Sequence, residues 1–362
     1  MNLSFHNIHT QNNTYFENES IEIEEVDPGK MSDSRFEEIT GIKTPSVYAP
    51  SFALAISKIF KVQTKIVIIR RNGAFLGTSH YSIVPGLFGS HRVFFYKTVY
   101  SNFIYSHSKE DEILSLTSLF KKYFANSGSF LCSTIHVLNQ SVGINSDFSF
   151  FQFNFSKYNN NDDDLINCFQ KRKKSYLRKA LKMPFVSEIH RKDGIRDFYV
   201  LYTKNQKELG SPPCSEIYFH KFLESVASSK IVLIKMNDIP VAGALIFQSQ
   251  KNETFCPFIA TPRSELQSLP ALRLYYEVIK LSMRNGSDIL NLGRSQKHSG
   301  HAHFKSQCGF IEIPVYYYLS NQLNPIAFNP SNRLMFQIAS FIWKKLPLKL
   351  TIYLGPILQR FL

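Results

Sequence analysis

Nothing in this 362-residue chain supplies the ~18 consecutive apolar residues that a membrane-spanning helix requires. The opening MNLSFHNIHTQNNTYFENES lacks a basic start followed by an apolar run, so no secretory signal is expected there. The five cysteines, Cys132, Cys168, Cys214, Cys256 and Cys308, are odd in number, scattered and without a CxxC pair. They point to neither a disulfide framework nor a zinc site, and a reducing cytosol fits them. No Gly-x-Ser-x-Gly elbow and no Gly-x-x-x-x-Gly-Lys-Ser/Thr loop occurs, which leaves direct transfer without a covalent enzyme intermediate as the chemistry to look for. Acid is also scarce: 28 Asp and Glu against 42 Lys and Arg give a net charge of +14. That excess suggests a polyanionic partner, whether RNA, a phosphorylated or nucleotide-linked substrate, or an anionic membrane surface.

What is present is a large core. Apolar residues make up 44% of the chain, with 32 Phe and 18 Tyr, and a chain of this length is expected to hold about two domains. The stretches KIVIIRRNGAFLGTSHYS (65–82) and KIVLIKMNDIPVAGALIF (230–247) repeat Lys, Ile, Val, Ile and Asn at matching places. Both read as strand, tight turn, strand, because Asn72-Gly73 and Asn237-Asp238 tolerate the positive φ of a two-residue hairpin loop. A helix precedes each hairpin. After it come a strand (RVFFYKTV; TFCPFIA), a long helix (110–125; 270–285) and another strand (SFLCSTIHV; DILNL). The order helix, hairpin, strand, helix, strand therefore occurs twice, as a duplicated α/β domain would produce.

Between the halves, an Asn/Asp run reads as a linker and helix cap. A helix over 165–182 should follow, with Leu165, Ile166, Phe169, Tyr176, Leu177, Ala180 and Leu181 on one stripe. Lys171, Arg172, Lys173, Lys174, Arg178, Lys179 and Lys182 give it seven positive charges and no acid from 171 onward. Either this is a solvated face or an anion relieves the repulsion. On the second reading Arg172, Lys174 and Arg178 are candidate phosphate contacts.

The motifs RKKSYLRKALK, KELGSPP, LNLGRSQKHSGHAHFKSQCGFIEIPVYYYL and WKKLPLKLTIYLGPILQRFL resemble, in that order, those of FemA/FemB-related proteins, in particular the FemAB-like proteins of exopolysaccharide and PEP-CTERM gene clusters. The resemblance covers residues 170 to 362, and the first half matches by element order. It implies an α/β (α+β) chain of two tandem GCN5-related N-acetyltransferase (GNAT) folds, each a mixed sheet flanked by helices, with a C-terminal helical tail. It also implies transfer of an acyl or aminoacyl group to an amine, with acyl-CoA or aminoacyl-tRNA as co-substrate and no tightly bound cofactor. The expected acceptor is an amino sugar in a nucleotide- or lipid-linked glycan precursor; a peptidoglycan precursor peptide is the alternative. Two departures stand out. The Gln/Arg-x-x-Gly-x-Gly/Ala loop of ordinary GNAT enzymes is replaced by TPRSELQSLP, which lacks the glycines that let backbone N–H groups approach a pyrophosphate. The Trp that usually precedes Gly-Phe is Cys308.

Residues 290–310 were the richest in candidate chemistry. In the resembled family the Lys of this motif is proposed to meet the carbonyl or a substrate phosphate, which makes Lys305 the first candidate, since an ammonium in a dry cleft stabilises a developing oxyanion. Arg294, after the turn at Gly293, would bind phosphate oxygens in pairs, with Ser295 adding a hydroxyl. The loop's histidines, His298, His301 and His303, have no acidic neighbour within it, so a metal centre is not expected; one of them would accept the proton of the incoming amine, and His303 is singled out. Tyr276, on the preceding helix, is a further candidate substrate contact.

The expected division is an acidic segment over 1–40, with nine acids against Lys30 and Arg35, a first GNAT-like domain over 41–157, a second over 158–325 and a basic tail over 326–362. The acidic segment reads either as a strand with an acidic edge or as a cover over a basic cleft. The tail reads either as two helices packing on the protein or as an interfacial segment that touches an anionic membrane through Trp343. The second option would place the protein in the cytoplasm at the inner membrane face. Two rival readings are an RNA-binding module and a non-catalytic membrane scaffold.

Overall fold

The computed structural model describes residues 6–8, 20–42, 48–86, 89–94, 104–105, 130–134, 144–158, 162–248, 253–263, 269–319 and 334–359. The chain divides into two compact units, one of Met1–Ser146 with Val315–Phe328, the other of Asp147–Pro314 with Asn329–Arg360. The long helix expected over 110–125 lies outside the described residues.

The first unit contains β1 (His6–Ile8), β2 (Ile21–Val26), α1 (Asp33–Thr40), α2 (Pro50–Phe60), β3 (Gln63–Arg71), β4 (Ala74–Gly86), β5 (Gly89–Phe94), β6 (Ile104–Tyr105) and β7 (Phe130–Thr134). β2, β3, β4 and β5 pair antiparallel in that order, and β5 pairs parallel with β7. Within the acidic segment, Ile21–Val26 is thus a strand along this sheet, with Glu24 against Arg70 at 3.4 Å and Glu25 accepting from the Tyr81 hydroxyl at 3.1 Å. Its alternating Ile21, Ile23 and Val26 are buried, and Val26 joins Phe36, Ala53, Ile66 and Ile68 in a core beneath α1 and α2.

The second unit opens within β8 (Ile144–Asn154), from Asp147 onward, followed by α3 (Asp162–Asn167), α4 (Lys171–Lys182), β9 (Phe185–His190), α5 (Ile195–Leu209) and α6 (Glu216–Ser225). It continues with β10 (Lys230–Met236), β11 (Ile239–Gln248), β12 (Glu253–Ala260), α7 (Leu269–Arg284), β13 (Ile289–Gln296), α8 (Gly300–Gln307) and the start of β14 (Ile311–Leu319), then α9 (Leu334–Lys345) and α10 (Leu348–Gln359). Here β9, β10, β11 and β12 pair antiparallel and β12 pairs parallel with β13, the same pattern as in the first unit. Each sheet gains one more antiparallel strand: β8 lies beside β13, and Tyr316–Leu319 of β14 lies beside β7.

Both hairpin turns adopt the positive φ their sequences require, with Asn72 at 50°, Gly73 at 79°, Asn237 at 51° and Asp238 at 62°. Alternation along β10 and β11 covers both sheet faces. Val232, Ile234, Ala242 and Ala244 join one core with Leu177, Leu272 and Ile279. On the other face Gly243 lies so close to Phe198 and Leu201 that a Cβ there would sit 3.1 and 3.3 Å from them. Tyr202, Phe219 and Phe258 continue that second core edge to face.

The helix expected over 165–182 is in fact two. The chain breaks at Cys168–Gln170, where the Gln170 N–H donates to the Gln307 carbonyl at 2.9 Å and Gly309 approaches the Cys168 carbonyl too closely to carry a side chain, at 2.8 Å from the position of a Cβ. An unbroken helix would have to give up this junction.

The tail packs on the protein. A Cβ at Gly210, which ends α5 at φ +77°, would meet the Ser340 carbonyl at 2.8 Å, and one at Gly355 would meet the Pro213 carbonyl at 2.8 Å. Gln359 donates from its amide to the Pro212 carbonyl. The LGSPP turn and the GP tail, two motifs far apart in sequence, are therefore partners. Trp343 corrects an expectation: it is only 6% exposed and belongs to the packed side of α9, so it cannot anchor in a membrane. No helix among the described residues is long and apolar enough to cross one.

Candidate functional site

A fork in the second sheet organises the site. The parallel pairing of β12 with β13 covers only Glu253 with Ile289, Thr254 with Leu290 and Phe255 with Asn291. Beyond it the register of β13 against β8 shifts between Asn291 and Arg294. Gly293 makes that irregularity possible at φ +66°, and its N–H donates to Asn291 Oδ1 at 3.0 Å. The strands part, leaving backbone groups that β12 no longer satisfies.

Lys305 lies at this fork. Residues 297–310, expected as a loop, contain the short helix α8, capped by Ser299 accepting from the Ala302 N–H at 3.2 Å. From α8 the Lys305 ammonium donates to the Leu292 carbonyl at 2.9 Å, one residue past the last parallel pair, and lies 5.2 Å from the centre of the Phe151 ring. It is 6% exposed. Burial pulls its pKa down to about 8, opposed by the neighbouring Cys256, whose own thiol burial pushes up to about 12. An ammonium with one hydrogen committed to Leu292 keeps two donor positions for another oxygen.

The other candidates scatter around this point. Arg294 is exposed, its guanidinium 5.1 Å from the centre of the Phe148 ring. Ser295 is half-buried in the ladder opposite Ser149. His303 is exposed and shares a 2.9 Å hydrogen bond with Gln307, on the side of α8 away from Lys305. His301, four residues before Lys305 and so on the same helix face, is solvent-accessible, yet desolvation and then the Lys305 charge lower its pKa. Tyr276 is buried in the core beneath Lys280, whereas its neighbour Tyr275 meets α8 directly, edge to face with Phe304 at 5.1 Å and with Phe310 at 6.1 Å. Sequence reasoning did not place Cys256 or Phe151 beside Lys305, and it took Tyr275 for a core residue, which its burial agrees with. The His301–Lys305 spacing of four was readable only with a helix assigned to 300–307.

The basic helix α4 adjoins α8 through the Gln170–Gln307 bond and through Lys173, whose ammonium lies 4.5 Å from the centre of the Phe304 ring. Arg172 and Arg178 are exposed, and Lys174 donates to Asn167 Oδ1 at 3.0 Å. Four cations in the first turn of α4 oppose its helix dipole, a cost that an anion at the same place would remove. Among the described residues no group of His, Cys, Asp and Glu could hold a metal ion.

No family model matches the sequence, and no curated protein does. Solved structures do match. The crystal structure of FemX aligns with a TM-score of 0.57 and 15% identity over 81% of this chain and 97% of its own. The structure of L-PGS from Bacillus licheniformis aligns at 0.50, with 10% identity over 88% and 98%. A tandem GNAT protein from the clavulanic acid biosynthesis pathway aligns at 0.48, with 6% identity over 84% and 100%. The fold of this chain is thus similar to that of FemX and of L-PGS.

Proposed function

We propose that the chain is an N-acyltransferase that passes an acyl or aminoacyl group from an activated carrier, acyl-CoA or aminoacyl-tRNA, to the amino group of an amino sugar in a cell-surface polysaccharide precursor. The observation that carries this reading is a lysine buried at a fork between two strands, with hydrogen-bonding capacity to spare. A neutral amine attacks the carbonyl carbon, the C–N bond forms as the bond to the carrier's sulfur or oxygen breaks, and Lys305 donates to the oxygen that gains charge. The amine gives up one proton and the carrier leaves with one, so a single proton passes in net from the nitrogen to the leaving sulfur or oxygen.

As the acceptor of that proton from the amine, what supports His301 over His303 is its position on the Lys305 face and a pKa lowered by burial and by the Lys305 charge, which favours the neutral imidazole. Phosphates of the carrier or acceptor would meet Arg294, with Ser295, and the α4 face through Arg172, Lys174 and Arg178. Tyr276, being core, would shape the wall rather than touch substrate. Transfer to a peptidoglycan precursor peptide uses the same chemistry and remains the alternative acceptor.

Mass spectrometry of surface polysaccharide and its lipid-linked precursors tests this, comparing wild type, a deletion, and the deletion complemented with Lys305→Ala. A defined acyl or aminoacyl mass should vanish in the deletion and stay absent with the variant. Three identical glycans would remove the polysaccharide assignment, and the same comparison on peptidoglycan precursors would then test the peptide acceptor.

A further inference from the structure

Helices α9 and α10 turn one side inward and leave the other without cover. Trp343, Thr351 and Gly355 lie on the packed side, whereas Leu334, Ile338, Phe341 and Ile342, at spacings of four, three and one, form an outward stripe on α9, and Leu350, Tyr353 and Ile357 form another on α10. Phe341 is 64% exposed and Tyr353 72%. Of the fifteen large apolar side chains exposed among the described residues, eight fall in these two helices. Scattered exposure is ordinary; concentration of this kind marks a surface that something covers.

Charge says what. The sequence has no Asp or Glu from 326 to 362, and Lys344, Lys345 and Lys349 border the stripe, with the Lys345 ammonium 5.6 Å from the centre of the Phe341 ring. A second copy would bring the same lysines against themselves, which like-charge repulsion disfavours. Each helix has twelve residues, about 18 Å in length, too short to cross a bilayer core of about 30 Å and suited to lying in its interface.

We propose that α9 and α10 dock the protein on an anionic lipid surface, with Phe341, Ile342, Tyr353 and Ile357 entering the acyl boundary and Lys345 and Lys349 meeting headgroup phosphates. Tyr353 takes the interfacial place that buried Trp343 cannot.

The test is flotation of the full chain with vesicles of phosphatidylcholine alone or mixed with phosphatidylglycerol. The wild type should float with the anionic vesicles and lose binding as salt rises. Phe341→Glu with Ile357→Glu should bind about tenfold or more weakly, and Lys345→Glu with Lys349→Glu should remove the preference for phosphatidylglycerol. All four side chains face outward, so thermal unfolding followed by circular dichroism should be unchanged, and the lysine pair gives an independent readout if the apolar pair unfolds. A wild type that never floats, variants that float equally well, or a dimer in sedimentation that the apolar pair dissociates would each overturn the proposal. None of these readouts uses acyl transfer, so the docking surface and the transferase reading stand or fall separately.

Discussion

The two hairpins are copies down to their irregularities. β3 and β4 slip register between Ile69 and Arg70, and β10 and β11 slip between Ile234 and Lys235, the same place in the repeated sequence. Each hairpin has a helix before it and a parallel strand pair beyond it. What differs is what has been laid beside each copy: three glutamates on β2 in the first unit, and the basic α4 and Lys305-bearing α8 in the second. The two scaffolds are alike and the charge attached to them differs, so under the proposed function the chemistry would belong to the second copy's additions and not to the repeat itself.

The largest expected effect follows from that difference. Lys305→Ala should lower the transfer rate by about 10²–10³-fold, while an exposed change on the first hairpin, such as Gln63→Ala, should leave it unchanged; steady-state rates with the identified donor compare the two. Above pH 8 the wild-type rate should fall as Lys305 loses its proton, because a neutral amine is a weaker partner for an oxyanion. A rate that instead rises through pH 8 would make Lys305 a proton acceptor and end the oxyanion assignment.

Next in size is the clamp between tail and turn. Gly355→Val would drive a branched side chain into Pro213, and Gly210→Val would combine a clash at Ser340 with an unfavourable φ. Each should cost about 3 kcal/mol, read as a fall in the denaturation midpoint. Gly73→Val has nothing within 4 Å of its Cβ and pays for its positive φ alone, which separates clash from conformational strain.

Much of this fold was legible because its signals are local. The hairpins follow from Asn72-Gly73 and Asn237-Asp238, and the buried strands follow from apolar alternation. The break between α3 and α4 was not legible, because its cause is a hydrogen bond to Gln307 more than a hundred residues away. For the same reason the sequence pointed to Lys305 but not to its partners: Leu292 and Phe151 reach it only through the fork, and a fork is a failure of strand pairing that no periodicity records. Trp343 misled because an amphipathic helix has two sides and composition does not say which is covered.

Lys305 also ought to be a burden on stability, which the scaffold positions are not. The distance between about 8 and the ordinary 10.5 corresponds to roughly 3 kcal/mol of disfavoured protonation below pH 8. The folded pKa is the lower one, so the unfolded chain binds the extra proton between pH 8 and 10.5 and stability recovers as pH rises through that window. Lys305→Met removes the penalty and loses the bond to Leu292, worth about 1 kcal/mol, so at pH 7 the variant should be more stable by about 2 kcal/mol and inactive. Chemical denaturation at pH 7 and pH 10 should show that advantage shrinking at the higher pH. A Lys305→Met protein that is less stable than wild type at both would mean the lysine is there to satisfy the fork's free carbonyl, and the candidate site would lose its centre.

The smallest effect tests the equivalence of the turns. Exchanging their second residues, Gly73→Asp and Asp238→Gly, keeps both φ values positive. If the hairpins are true copies, the first exchange should cost about 1 kcal/mol and the second should stabilise by a similar or smaller amount, because the same left-handed geometry is being supplied by residues that tolerate it unequally. Unequal magnitudes would locate a constraint on one turn beyond its backbone, and the acidic neighbour strand of the first unit is where such a constraint would arise, since the Ser20 N–H donates to Asn72 Oδ1 at 3.0 Å and ties that turn to β2.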